Sequence, residues 1–203
     1  MSDEDKTAEA EKLLRNPPKG AWVKKDNDKE LIGVSTLARG GFILLPFSLL
    51  FCGFSYLGFS QILKNESTSL VPLLVMLPFA AASIFLVITA LYSLFGKVEL
   101  VINKKEPDYI FTGIGSIGKT RNIKWKSIKE IHEKTTYHKT RNTHSSRGAG
   151  RHQYTTYAVK NIYIEGEETI KISAKFLNAE KLKFLLCALL YYKDIKTRYG
   201  NFF

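Results

Sequence analysis

The stretch Gly113-Ile-Gly-Ser-Ile-Gly-Lys-Thr120 satisfies the phosphate-loop string G-x-x-x-x-G-K-[ST]. In such a loop, backbone N–H groups wrap the phosphates, the lysine (here Lys119) reaches the terminal phosphate and the hydroxyl residue (Thr120) holds Mg²⁺. The surroundings do not fit that chemistry. A helix should begin at Lys119, yet Thr120-Arg-Asn-Ile-Lys-Trp125 alternates as a strand does. The rest of the chain is too short and too strand-like to supply the further βα units of a nucleotide-binding core. The string therefore reads as a glycine-rich hairpin turn, and no cofactor is expected.

Other reactive residue types are equally unassembled. His132, His138, His144 and His152 are wider apart than the closely paired ligands of a zinc site, and no cysteine lies near them, so no metal is expected. Ser145 and Ser146 adjoin His144 without a nucleophile elbow, and Glu130 and Glu133 alternate with lysines as on a solvated strand face. No catalytic residue emerges, and the chain does not read as an enzyme. The distinctive polar feature runs from Lys134 to His152. It carries Lys139, Arg141, Arg147 and Arg151, three histidines and no acid, with Gly148 and Gly150 to loosen the backbone. These four basic residues are the candidate contacts for anionic lipid or a protein partner, set against the plainer reading of a solvated loop without a ligand. Nucleic acid would match the charge, but the absence of a clear aromatic stacking platform argues against it.

The elements that position these residues begin with two uncharged blocks. Gly41 to Leu63 and Leu70 to Phe95 contain no Asp, Glu, Lys, Arg or His. At ~1.5 Å per residue, the first already spans ~34 Å, enough for a hydrocarbon core of ~30 Å. The six residues Lys64 to Ser69 are too few for a domain, so the two blocks predict antiparallel transmembrane neighbours. Lys24, Lys25, Lys29 and Arg39 precede the pair and Lys97, Lys104 and Lys105 follow it, which places both termini in the cytoplasm. The formal charge of +11 lies wholly in residues 97–203, because residues 1–40 balance and 41–96 carry only Lys64 and Glu66. The acidic start is not a secretory signal. Pro46 and Pro78 are candidate kinks. Ala80 to Ser83, Gly53 and Gly58 are candidates for a close helix–helix seam. No ionisable group lies within the spans, which argues against a pump. Cys52 and Cys187 read as buried apolar residues rather than a disulfide.

After the spans, the period changes to alternation. Strands are expected at Val98–Ile102, Asp108–Thr112, Lys119–Trp125, Ile128 to about His138, Tyr154–Ile164 and around Ile170–Ile172. A closing helix follows, capped by Asn178, with Leu182, Leu185, Leu186 and Leu189 on one face. This order resembles a bacterial pleckstrin-homology-like domain attached to a membrane hairpin. The matching features are the strand just after a span, the Gly113–Gly118 turn, Trp125-Lys-Ser-Ile128 leading into the next strand, and the Leu-rich closing helix. The resemblance implies a mainly-β (α+β) domain over 97–195, a binding or scaffolding role and a bacterial inner membrane. It supplies no catalytic residues. The organisation is then a polar segment 1–40, a hairpin within 41–96 (spans 41–63 and 70–95), the domain 97–195 and a tail 196–203. Residues 20–36 are expected to form a short hairpin. Membrane lipids, a protein partner or further copies of the chain are the expected partners. The competing class is a subunit of an oligomeric pore, for which Ser48, Cys52 and Ser55 give a faint polar stripe.

Overall fold

A computed structural model describes residues 3–37, 39–64, 70–141, 154–173 and 177–199. Among these residues there are four helices: α1 (Asp3–Arg15), α2 (Arg39–Lys64), α3 (Leu70–Phe95) and α4 (Ala179–Tyr199). Eight strands accompany them: β1 (Ala21–Lys25), β2 (Lys29–Ser35), β3 (Gly96–Asn103), β4 (Tyr109–Ile114), β5 (Ile117–Asn122), β6 (Glu130–Arg141), β7 (Tyr154–Glu165) and β8 (Ile170–Ser173). They form a five-stranded sheet of order β1-β2-β3-β4-β5 and a three-stranded sheet of order β6-β7-β8. The short links β1–β2, β3–β4 and β4–β5 permit only antiparallel neighbours. The chain divides into two compact units, one comprising Met1–Gly33, Leu100–Ile110 and Arg121–Phe203, the other Val34–Glu99 and Phe111–Thr120.

In the first unit, Leu182, Phe184, Leu185, Ala188 and Leu189 of α4 are buried with Ile162 and Ile164 of β7. Asn178 accepts a hydrogen bond from the Lys181 backbone N–H at 2.9 Å through its side-chain oxygen, the expected cap. The buried side of α4 is broader than the leucine stripe predicts, because α1 also packs on it. Ala10 of α1 is buried, and Lys183 of α4 meets Glu9 at 2.6 Å. The polar N-terminal segment thus contains a helix that the sequence reading did not anticipate. Residues 20–36 do form a hairpin, and β1 and β2 join the five-stranded sheet. In β2, Gly33 makes room for the Trp22 indole, which a Cβ there would meet.

The three-stranded sheet corrects one boundary. The fourth expected strand ends near His138, whereas β6 continues to Arg141, in register with β7 from Glu130↔Glu165 to Arg141↔Tyr154. The added rungs, among them Lys139↔Thr156 and Thr140↔Thr155, are rich in threonine and tyrosine, which suit a pleated backbone. β8 pairs only with Asn161–Ile164. The outer part of β6 and β7 is therefore a two-stranded ribbon.

In the second unit, α2 and α3 are antiparallel neighbours, long and apolar enough to cross a membrane. Their seam is built from small residues seven apart. Ser48 and Ser55 of α2 and Ser83 and Ala90 of α3 are buried, and a Cβ on Gly41 would meet Leu94 and Ser93 at 2.8 Å. Seven-residue spacing keeps a contact line on one face of paired helices, and small residues let the backbones approach. Ser55 and Ser83 hydrogen-bond across it at 2.9 Å. The seam is not where the sequence reading put all of it. Gly58 packs against Met76, but Gly53 faces open space and Ala81 and Ala82 are exposed. Ser48 and Ser55 face the partner helix, so the expected polar stripe is internal to the hairpin. Cys52 and Cys187 are free and half-buried.

The phosphate-loop string is a β-hairpin. β4 and β5 are joined by Gly115 and Ser116, and Gly115 has φ +58°. A two-residue hairpin turn favours a positive φ at its first position, where glycine is unstrained. A Cβ on Gly113 would meet Ile117 O and the Gly118 Cα, so the two strands close at that point only without side chains.

Candidate functional site

A lysine-rich cleft of about 470 Å³ opens in the first unit. Three segments line it: the turn Asn103–Asp108 between β3 and β4, the stretch Ile123–Lys126 after β5, and Lys196 near the end of α4. Asp108 joins all three. Its carboxylate accepts from the Asn103 backbone N–H at 2.6 Å, from the Trp125 indole N–H at 2.6 Å and from the Lys196 ammonium at 3.1 Å. Its backbone carbonyl accepts from Ile123 N–H at 2.7 Å, and the Asn103 side chain donates to Pro107 O at 2.9 Å. Asp108 and Lys196 are 5% and 6% exposed, so this is a buried ion pair whose remaining lone pairs are satisfied. The network also explains why β5 ends at Asn122 rather than at the expected Trp125. Ile123 is tied back to Asp108, and Trp125 opens a short 3₁₀ turn (Trp125–Ser127) that sends its indole inward.

Around this buried anchor stand Lys104, Lys105, Lys124 and Lys126. Lys105 pairs with Asp28 at 3.1 Å and Lys124 with Glu167 at 3.0 Å, both in exposed positions. The hydrogen bond and charge of Glu167 raise the Lys124 pKa above the ordinary lysine value. Lys104 and Lys126 make no ion pair among the described residues. Five lysines face the cleft against two carboxylates, Glu106 and Asp108, and Asp108 already holds three donors. The arrangement can receive an anionic group by charge and by ammonium donors. Asp108 is too fully committed to serve as a free base.

One cluster among the described residues has metal-ligand types close together. His132 lies between Glu130 and Glu165, with Nδ1 3.9 Å from one carboxylate and Nε2 3.8 Å from the other. These separations exceed hydrogen-bond distance. Nδ1 is buried without a partner, and the ring stacks on Tyr163 at 5.8 Å. Each nitrogen faces a different carboxylate, one ligand atom from each of the three residues lies within 4.8 Å of the others, and the glutamates are substantially exposed.

Of the four basic residues singled out in the sequence, Lys139 is exposed on β6 opposite Thr156, and Arg141 ends that strand opposite Tyr154. Arg147 and Arg151 lie outside the described residues, as do His144, Ser145, Ser146 and His152. Lys139 and Arg141 thus sit on the outer ribbon rather than in a loop. The cleft lysines escaped the sequence reading because they come from separated segments. The doublet Lys104-Lys105, which that reading used for topology, was the available signal. Searches of protein-family models, curated proteins and solved structures find no match to this chain.

Proposed function

We propose that the chain is a membrane-anchored, non-enzymatic binding or scaffolding protein. In this reading α2 and α3 cross the bilayer as a hairpin, both termini lie in the cytoplasm, and a pleckstrin-homology-like domain presents basic groups to anionic lipid or to an acidic protein partner. One observation carries the anchoring: the outer faces of α2 and α3 are uncovered. Only 6% and 11% of their most apolar windows are buried. Phe42, Ile43, Phe54, Leu57, Ile84 and Phe85 are each more than half exposed. Leaving such a side chain in water forfeits about 1.5–3 kcal/mol. A core helix of a soluble protein would have these faces covered, and a bilayer covers them without further protein. The two sheets and closing helix support the domain resemblance. The cleft lysines and the Lys139–Arg151 segment support an anionic ligand.

The test uses the full chain, because β1 and β2 belong to the same sheet as β3 and a fragment starting at residue 97 would lack them. Alkaline carbonate washing should leave the protein in the membrane pellet, and its release to the supernatant would refute the anchoring. The chain in neutral-lipid nanodiscs should then capture vesicles containing anionic phospholipid but not neutral ones. Capture should weaken as salt shortens the screening length from ~8 Å at 0.15 M to ~3 Å at 1 M. Lys104→Ala/Lys126→Ala tests the cleft, and the quadruple alanine variant of Lys139, Arg141, Arg147 and Arg151 tests the ribbon and its loop. Equal capture of neutral vesicles, or capture untouched by both variants, would refute an electrostatic lipid contact.

A further inference from the structure

The hairpin that imitates a phosphate loop has an exposed apolar tip, and its position in the second unit gives that tip a partner. β3 starts at Gly96, immediately after Phe95 ends α3, with no linker. Thr36 N–H, just beyond β2, donates to Gly96 O at 2.8 Å, and the Thr36 hydroxyl donates to Tyr92 O at 2.5 Å. This end of the sheet is therefore fastened to the last turn of α3. β4 runs back towards the same end. The Phe111 ring centroid is 5.3 Å from the Lys97 ammonium, which also meets Glu99 at 2.6 Å. From Phe111, the strand continues through Thr112, Gly113 and Ile114 before turning. The tip Ile114–Ile117 consequently lies at the end of the sheet where α3 joins β3.

Leu37 next to Thr36, Phe95 next to Gly96, and Ile117 of the tip are exposed apolar side chains, and Ile117 is 82% exposed. Lys119 follows Ile117 on β5 and is also exposed. A bulky apolar side chain held out by a two-residue turn, with a lysine two positions behind it, matches the boundary between acyl chains and headgroups.

We propose that the β4–β5 tip is a lipid contact. Ile117 enters the interfacial layer of the same bilayer that holds α2 and α3, and Lys119 meets the headgroup phosphates. The glycines at 113, 115 and 118 give the tip a narrow profile, and the contact fixes the hairpin against the membrane surface. This inference rests on the transmembrane reading of α2 and α3.

The experiment places single spin labels on the full chain, with Cys52 and Cys187 replaced by Ala, reconstituted in nanodiscs. Labels at Ile117→Cys, Thr120→Cys and Leu57→Cys are compared for collision with oxygen, which concentrates in lipid, and with a water-soluble nickel chelate. Leu57 is an exposed mid-helix position, and Thr120 is an exposed β5 residue ~10 Å behind Ile117. The oxygen-to-nickel ratio should be highest at 57, several-fold lower but still lipid-like at 117, and water-like at 120. A water-like ratio at 117 with a lipid-like ratio at 57 would overturn the tip contact alone. A water-like ratio at 57 would overturn the transmembrane reading, and the tip contact with it.

Discussion

Asp108→Ala should cost more than any surface substitution in this chain, because it removes the shared acceptor of three donors. The change strands the Lys196 ammonium at 6% exposure and orphans the Asn103 amide and the Trp125 indole N–H. Breaking a buried pair from one side costs about 3–5 kcal/mol. Each orphaned donor adds about 1–3 kcal/mol where water cannot reach it. The network borders an open cleft, so water re-solvates part of what is lost, and the expected total is about 4 kcal/mol. For a chain of this size that lowers the melting temperature by about 8–16 °C. The assay is thermal unfolding of the full chain in detergent, followed by tryptophan fluorescence, in which Trp125 reports on its own site. Lys196→Met provides the second arm. Combined with Asp108→Ala, it removes the stranded cation, so the double variant should recover about 1–3 kcal/mol relative to Asp108→Ala alone. A drop below about 3 °C for Asp108→Ala, or a double variant no more stable than the single, would refute the claim that this pair organises the cleft.

Other expectations follow from the same geometry. Reporters fused at residue 203 and inserted within 65–69 should give opposite topological signals, and matching signals would exclude a hairpin that crosses the bilayer. Lys119→Ala should leave ATP and GTP binding as absent as in the parent chain, because β5, not a helix, follows the glycines; saturable binding lost on that substitution would reinstate the phosphate loop. Ser83→Leu overfills the seam against Ser55 and should destabilise the helix pair by about 1–3 kcal/mol, and an unchanged thermal transition in detergent would place the seam elsewhere. Burial, then a hydrogen bond to Glu30, holds the Tyr192 hydroxyl far above the ordinary tyrosine value. The folded state therefore favours the protonated phenol, and its stability contribution is intact below about pH 10 and declines as pH rises above it. Melting curves between pH 8 and 11 should show a smaller alkaline loss for Tyr192→Phe than for the parent chain, and equal losses would contradict this assignment.

What could be read in the sequence was local. Two uncharged runs of helical length are enough to delimit α2 and α3, and alternation followed by a leucine stripe delimits the strands and α4. The glycines of 113–118 disclosed a turn, because the alternation continues on both sides of them. What escaped was either weakly patterned or distant in the chain. α1 has only a narrow apolar face, supplied mainly by Ala10 and its neighbours, and its place on α4 depends on tertiary packing that propensity does not reveal. Asp108 was assigned merely to a strand and Lys196 to a tail, yet they meet at 3.1 Å. Nothing in local spacing links residues 88 positions apart. The seam was half legible. Small residues were recognised as a class, but which of them face inward depends on a seven-residue phase running through Gly41, Ser48 and Ser55 rather than on the nearest small cluster.

The bond from Thr36 N–H to Gly96 O also constrains the order of events during synthesis. Its partners are 60 positions apart, and both α2 and α3 lie between them. When β1 and β2 leave the ribosome, the strand that β2 will pair with does not yet exist. At about 5–20 residues per second, the gap lasts about 3–12 s. Throughout it Ile32 and Val34, fully buried in the finished protein, lie on a strand without its neighbour. Pairing of α2 with α3 brings the chain back to its own starting point and delivers β3 beside β2. On the transmembrane reading proposed above, membrane integration is the loop-closing step of the sheet, and a chain whose helices insert late would expose an unpaired strand edge for as long as the delay lasts.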